Sequence, residues 1–194
     1  VAVVVADSVA LAKDALEVVT LDIEDLPVAL ELAPGGPAIH AEAEGNLAYD
    51  WSLVDKAATD AAFDAAVHHV AIEVIHNRII VNAMEPRGAW AEWDGARLHL
   101  CVNGQGVWNQ KSETARMLGL PKDAVRVTNP DVGGGFGMKA MTYPEYIVIS
   151  AAARALGRPV RWIGERTESM LTDNAGRDLV ARAELAFDRD LRIT

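Results

Sequence analysis

Cysteine is almost absent from this sequence. Cys101 is the only one, which excludes a disulfide framework or a thiolate metal cluster within the chain. Its setting, "RLHLCVN", alternates like a strand and suits a buried, inert thiol. Cationic residues are scarce too: 18 Lys and Arg stand against 28 Asp and Glu, a formal net charge of −10. Nucleic acid and anionic membranes both require clustered Lys and Arg, so neither is an expected partner. No apolar run approaches the roughly 18 to 20 residues of a membrane span. Internal repeats and low-complexity tracts are also missing. His68, His69 and His76 lie on or beside one strand pattern, but neighbours on a strand point to opposite faces. His69 and His76 are an odd number apart, and His68 and His76, on one face, are separated by about 26 Å at the usual rise. A histidine metal site is not expected.

What is present is a globular composition. Of 194 residues, 51% are hydrophobic and 24% charged, enough for one sizeable domain or two small ones. The chain opens in the strand-like "VAVVVA" without Met and closes at "LRIT" inside an extended pattern, as expected of a piece of a longer polypeptide. "VAVVVA", the helix pattern "DSVALAKDALEVV" with Asp7 or Ser8 as cap, and the alternating "TLDIED" predict a β-α-β unit. "ELAPGGPAIHAEAEGNLAYD" has no sustained period and reads as an extended connection at a domain boundary. An Ala-rich helix, "DKAATDAAFDAA", and a long strand, "HHVAIEVIHNRIIVN", follow. "GAWAEWDGARLHLCVN" predicts a hairpin turning at Asp94-Gly95. "VWNQKSETARMLGL" is a helix ending near Gly119, and "AVRVTN" is a strand. Thr142 and Glu145 have capping-box spacing before the helix "PEYIVISAAARAL". "RPVRWIG" is a strand, "ERTESMLTD" a short helix, and "DLVARAELAFDRDLRIT" a strand and turn.

Three stretches exceed what turns require. "DVGGGFGMK" places four glycines among the five residues from Gly133 to Gly137. Bare backbone ahead of a helix can point several N–H donors at a ligand. It also serves a tight connection against a close neighbour, and both readings stay open. A P-loop is excluded, because Lys139 follows Met138 and precedes Ala140, and the dinucleotide spacing fails at Met138. Phe136, flanked by glycines, suits a wall against a flat ligand. "VNGQGVW" offers the Gln105 amide as a donor, or is ordinary turn chemistry with Gln105 facing water. In "NAMEPRG", Glu85 and Arg87 flank Pro86 and predict a buried ion pair that holds a loop.

In this order, the three stretches resemble the large subunit of the xanthine oxidase and aldehyde oxidase family. These are molybdenum hydroxylases, and aerobic carbon monoxide dehydrogenase belongs to the same group. "NAMEPRGAWAEWDG", "NGQG", "DVGGGFGMK" and "GRPVRWIGERTESM" carry the resemblance, and the N-terminal thirty residues resemble the close of a hammerhead domain. The resemblance implies an α+β fold. Residues 1–32 would end a hammerhead-type α/β domain, 33–54 would be an extended linker, and 55–194 the first part of the molybdenum-cofactor-binding domain. It implies that the backbone at Gly134, Gly135, Phe136 and Gly137 lines a molybdenum pyranopterin cofactor, one form of which is the cytosine dinucleotide. Gln105 would set its amide beside an oxygen ligand of the metal. The pterin would hold the metal, so no protein metal ligand is implied.

The substrate implied is an aldehyde or an N-heterocycle, oxidised with oxygen from water. Electrons would pass to iron–sulfur clusters, and in many members to FAD, on partner subunits or domains. A compartment follows only from the family: cytoplasmic, or periplasmic by export of the folded complex. Where xanthine-type enzymes carry a glutamate after the loop lysine, this sequence has Ala140, which speaks against a purine; Gly104 replaces the family's common Thr. The family's later cofactor loops and its glutamate base have no counterpart here, so no catalytic residue is expected in these 194 residues. Alone, they are expected neither to hold molybdenum tightly nor to turn over. An uncovered apolar half-core would favour self-association, a homodimer being one outcome. The alternative is a non-enzymatic α/β binding module, or a homologue that keeps the fold without the cofactor.

Overall fold

Alternating burial along adjacent strands marks the core. The computed structural model describes residues 2–194, which fall into two compact units: the segment up to Asp22 with Ile80–Gly176, and Ile23–Ile79 with Arg177–Thr194. The helices are α1 (Val9–Leu16), α2 (Lys56–Ala65), α3 (Trp108–Leu118), α4 (Pro144–Leu156) and α5 (Arg166–Thr172). The strands are β1 (His68–His76), β2 (Gly88–Trp93), β3 (Leu98–Val102), β4 (Val125–Thr128), β5 (Val160–Ile163) and β6 (Leu179–Phe187).

The first unit is built on a four-stranded sheet in the order β4-β3-β2-β5. β2 pairs antiparallel with both β3 and β5, whereas β3 and β4 run parallel. A parallel pair needs a crossover, and α3 supplies it. Ala89 and Ala91 of β2 and Leu98, Leu100 and Val102 of β3 face one way and are buried. Against them pack Tyr146, Ile149 and Ala153 of α4, spaced to share one helix face. Pro144 occupies the first turn of α4, and Gly157 ends the helix with φ +60°. α3 ends as expected at Gly119, with Leu120 N donating to Ala115 O.

The second unit pairs β1 and β6 antiparallel over their full length, from His68↔Phe187 to His76↔Leu179. α2 is capped by Asp55, which accepts from Ala58 N at 3.0 Å. The connection before it is pinned by Asn46, whose amide donates to Gly35 O and Pro37 O and accepts from Ile39 N.

Four local expectations are corrected. Of the β-α-β unit, only the helix forms, capped by Ser8; residues 2–6 and 20–25 lie outside any strand. A strand needs a neighbouring ladder, and those segments have none. Val1 lies outside the described residues. The long strand stops at His76, because its partner turns away at Arg177 and Asp178, both left-handed. The hairpin loop is Gly95-Ala96 rather than Asp94-Gly95, since Trp93 pairs with Leu98 and Asp94 faces Arg97. The capping box is not at Thr142 and Glu145: α4 has no side-chain cap, and Glu145 turns to Arg87. The box forms instead at α5, between Glu165 and Glu168.

Candidate functional site

The parallel pair places two connections side by side. The Gln105 turn leaves the carboxyl end of β3 and the glycine loop leaves the carboxyl end of β4, the usual place for ligands in α/β sheets. Asn129, the first residue after β4, locks them together. Its amide accepts from Gly104 N at 3.2 Å and donates to Gly104 O at 2.6 Å. A Cβ on Gly104 would stand 3.2 Å from Lys139 O and 3.3 Å from Val102 Cγ2, a tight fit.

Gln105 meets the glycine loop directly. Its Oε1 accepts from Gly137 N at 2.8 Å, and its own N donates to Lys139 O at 3.1 Å. A backbone N–H can only donate, which fixes the amide orientation and leaves Nε2, a pure donor, without an acceptor among the described residues. A Cβ on Gly135 would lie 2.6 Å from Gln105 Cδ and Oε1, so only glycine permits this approach. Gly134 and Gly137 have φ of +98° and +92°, and Phe136 is left-handed at +52° and 79% exposed as a residue. Met138 N and Ala140 N are used within the loop, by Gly135 O and Gly137 O. The N–H groups of Gly134, Gly135 and Phe136 have no acceptor among the described residues.

The segment before β2 closes the other side. Glu85 Oε2 accepts from Gly133 N at 2.8 Å and from Lys139 Nζ at 2.9 Å, while Lys139 itself is fully buried. Burial pushes the Glu85 carboxyl up, but the Lys139 ammonium and the Gly133 N–H outweigh it and hold it below its usual 4.5. Arg87 is fully buried as well, bonded to Asp173 at 2.5 Å and to both oxygens of Glu145 at 2.9 and 3.2 Å. Its guanidinium lies 3.6 Å from the Tyr143 ring centroid. Burial alone would lower its pKa; the two carboxylates raise it above its ordinary value. In place of the one expected ion pair there are three, Glu85–Lys139, Arg87–Glu145 and Arg87–Asp173, so Glu85 and Arg87 each take other partners. Arg166 holds the segment's start, donating to Asn82 Oδ1, Ala83 O and Met84 O at 2.6–2.7 Å.

Gln105, Gly134, Gly135, Phe136 and Gly137 are thus brought into one place. Sequence reasoning missed Asn129, Lys139 and Arg166. Asn129-Pro130 at a strand end was the available signal for the first, since Asn there bonds neighbouring backbone. Cys101 is half-buried on β3 and lines a cavity of about 390 Å³ with Trp90, Arg161 and Trp162, which also reaches Glu85 and Asp131 beside the glycine loop.

With this geometry in hand, residues 39–194 match the family model of the molybdopterin cofactor-binding domain, and the chain belongs to that family. The carbon monoxide dehydrogenase large chain of Hydrogenophaga pseudoflava is 32% identical over 211 residues, across all of this chain and 26% of its own. The 6-hydroxypseudooxynicotine dehydrogenase complex subunit gamma of Paenarthrobacter nicotinovorans is 36% identical over 188 residues, 94% of this chain and 23% of that subunit. Among solved structures, the Cu,Mo-CO dehydrogenase in its carbon monoxide reduced state superposes with a TM-score of 0.85. That match is at 28% identity and covers 95% of this chain and 26% of the other. The chain spans about a quarter of the length of these relatives. They are oxidoreductases, and the mixed helix and strand fold matches that of the Cu,Mo-CO dehydrogenase chain.

Proposed function

We propose that this chain forms one wall of the cofactor pocket of a molybdenum hydroxylase whose whole polypeptide oxidises an aldehyde or an N-heterocycle with oxygen from water. The observation that carries the reading is the Gln105–Gly137 bond, which leaves an unpartnered amide donor beside three unpartnered N–H groups. That donor set fits the molybdenum pyranopterin. The cofactor's oxygens need donors, its metal is held by the pterin's sulfurs, and no cluster of metal-ligating side chains is required of these residues. When bound, the cofactor supplies the redox chemistry.

In this reading Gln105 Nε2 and the N–H groups of Gly134, Gly135 and Phe136 bind and orient it, while the Phe136 ring shields one side from water. The general base lies elsewhere in the polypeptide, and these residues alone neither retain molybdenum nor turn over. Residues 1–32 are the close of a hammerhead-type domain. Iron–sulfur and FAD partners receive the electrons. Ala140, half-buried after the loop, supplies no carboxylate to a purine, which favours an aldehyde or another heterocycle.

The test is the molybdenum content of the whole protein, measured by mass spectrometry. Near-stoichiometric metal that falls at least tenfold in Gly135→Val is the expected result. No metal in a properly matured protein would return the glycines to close packing, the second reading, for which the 2.5 and 2.6 Å approaches at Gly133 and Gly135 also speak.

A further inference from the structure

The carboxylate of Glu85 touches both ends of the glycine loop with a single oxygen. Oε2 accepts from the N–H of Gly133, where the loop begins, and from the ammonium of Lys139, where it ends. Glu85 N also donates to Gly133 O at 3.1 Å, and a Cβ on Gly133 would come within 2.5 Å of Glu85 Cβ. Backbone and side chain therefore grip the same residue. Lys139 has no other acceptor among the described residues, and it is fully buried. A buried ammonium whose one countercharge is removed is strongly unfavourable, so the loop's closed form depends on that carboxylate. Glu85 is itself fixed from both sides. Arg166 ties down Asn82, Ala83 and Met84 before it; after it, Arg87 is buried and Arg87 O accepts from Gly164 N at 2.8 Å.

We propose that Glu85 is a positioning residue that closes the glycine loop through Lys139, and so holds the donors of Gly134 to Phe136 in register for the cofactor. This rests on the cofactor reading given above. The ion pair works by charge: Glu85→Gln keeps an oxygen for both Gly133 N and Lys139 Nζ but leaves the buried ammonium without its countercharge, whereas a neutral pair has no charge to bury.

The experiment is amide hydrogen exchange on the whole protein prepared without molybdenum, following peptides across residues 129–141 and across β2 and β3. Glu85→Gln is expected to speed exchange in the loop peptide at least about tenfold with the sheet peptides unchanged. The double variant Glu85→Gln/Lys139→Met is expected to return the loop to within about twofold of the original. Unchanged loop exchange in Glu85→Gln would overturn the proposal, as would equal acceleration in the double variant. Should the single variant not fold, the double variant decides: a protected loop supports the proposal and an unprotected one defeats it. Loss of fold in both also counts against it, since a clamp local to the loop leaves the sheet standing. Molybdenum retention in the matured protein separates the two ideas. Loop exchange that responds as stated while retention does not keeps Glu85 as the clamp and removes the cofactor from the loop.

Discussion

β3 and β1 are both apolar strands in antiparallel pairs, yet they end in opposite environments. Leu98, Leu100 and Val102 of β3 are at most 1% exposed, while Val70, Ile72 and Val74 of β1 are 39–59% exposed. The difference is the presence of a helical layer. α4 lies across β2 and β3 and removes one sheet face from water, whereas the β1–β6 ribbon keeps both faces open apart from Ala186 near its end. A two-stranded ribbon alone is marginal, and its stability rests on its backbone ladder and cross-strand pairs. The sheet unit also carries fully buried charges, Arg87 paired with two carboxylates and Lys139 with one. Order at the site is concentrated where burial makes polar errors costly.

That contrast can be broken most forcefully at Arg87. Arg87→Ala leaves Glu145 and Asp173 without their shared cation and should cost about 3–5 kcal/mol in chemical denaturation of the protein. Exchange should rise across the sheet unit and stay unchanged in the ribbon. Leu100→Ala, at a fully buried position, should cost about 2–5 kcal/mol by the same measurement.

A pH titration sharpens the comparison at the loop. The Glu85 carboxyl is held below 4.5 in the folded protein. Its contribution is therefore present above that unfolded value and is lost as pH falls through the depressed folded one. The charged groups on the elements around Glu85 include Lys139, which bonds it, Arg166 and Arg87 on either side of its segment, and Asp131 and Arg161 of the shared cavity. Protection of the Gly133 amide should hold from neutral pH down to about 5 and collapse below the Glu85 midpoint, read by NMR exchange. The smallest expected effect is on the ribbon: Ile72→Thr, on an exposed β-branched site, should change stability by no more than about 0.5 kcal/mol. A loss comparable to Leu100→Ala would mean that β1 is covered in the working protein and would erase the contrast.

The site was more legible in the sequence than the elements beside it. The excess of glycine from Gly133 to Gly137 exceeded what a turn needs, and both Gly135 and Gly137 meet Gln105 in the fold. Caps and chain reversals were read well where one residue type satisfies a local demand, as Gly119, Pro144 and Gly157 do. The N-terminal strands and the box at Thr142 failed for a common reason. A valine run becomes a strand only beside another strand, and Glu145 serves a helix cap only when no buried arginine competes for it.

The sequence by itself determined the backbone freedoms and the chemical inventory: where φ could turn positive, where a helix must stop, and that few cations and one thiol were available. Those are properties of single residues and of near neighbours along the chain. Tertiary structure alone decided which carboxylate meets which cation. Lys139 finds Glu85 and Arg87 finds Asp173 across 54 and 86 positions of chain, and that choice is made by burial, which no local window contains.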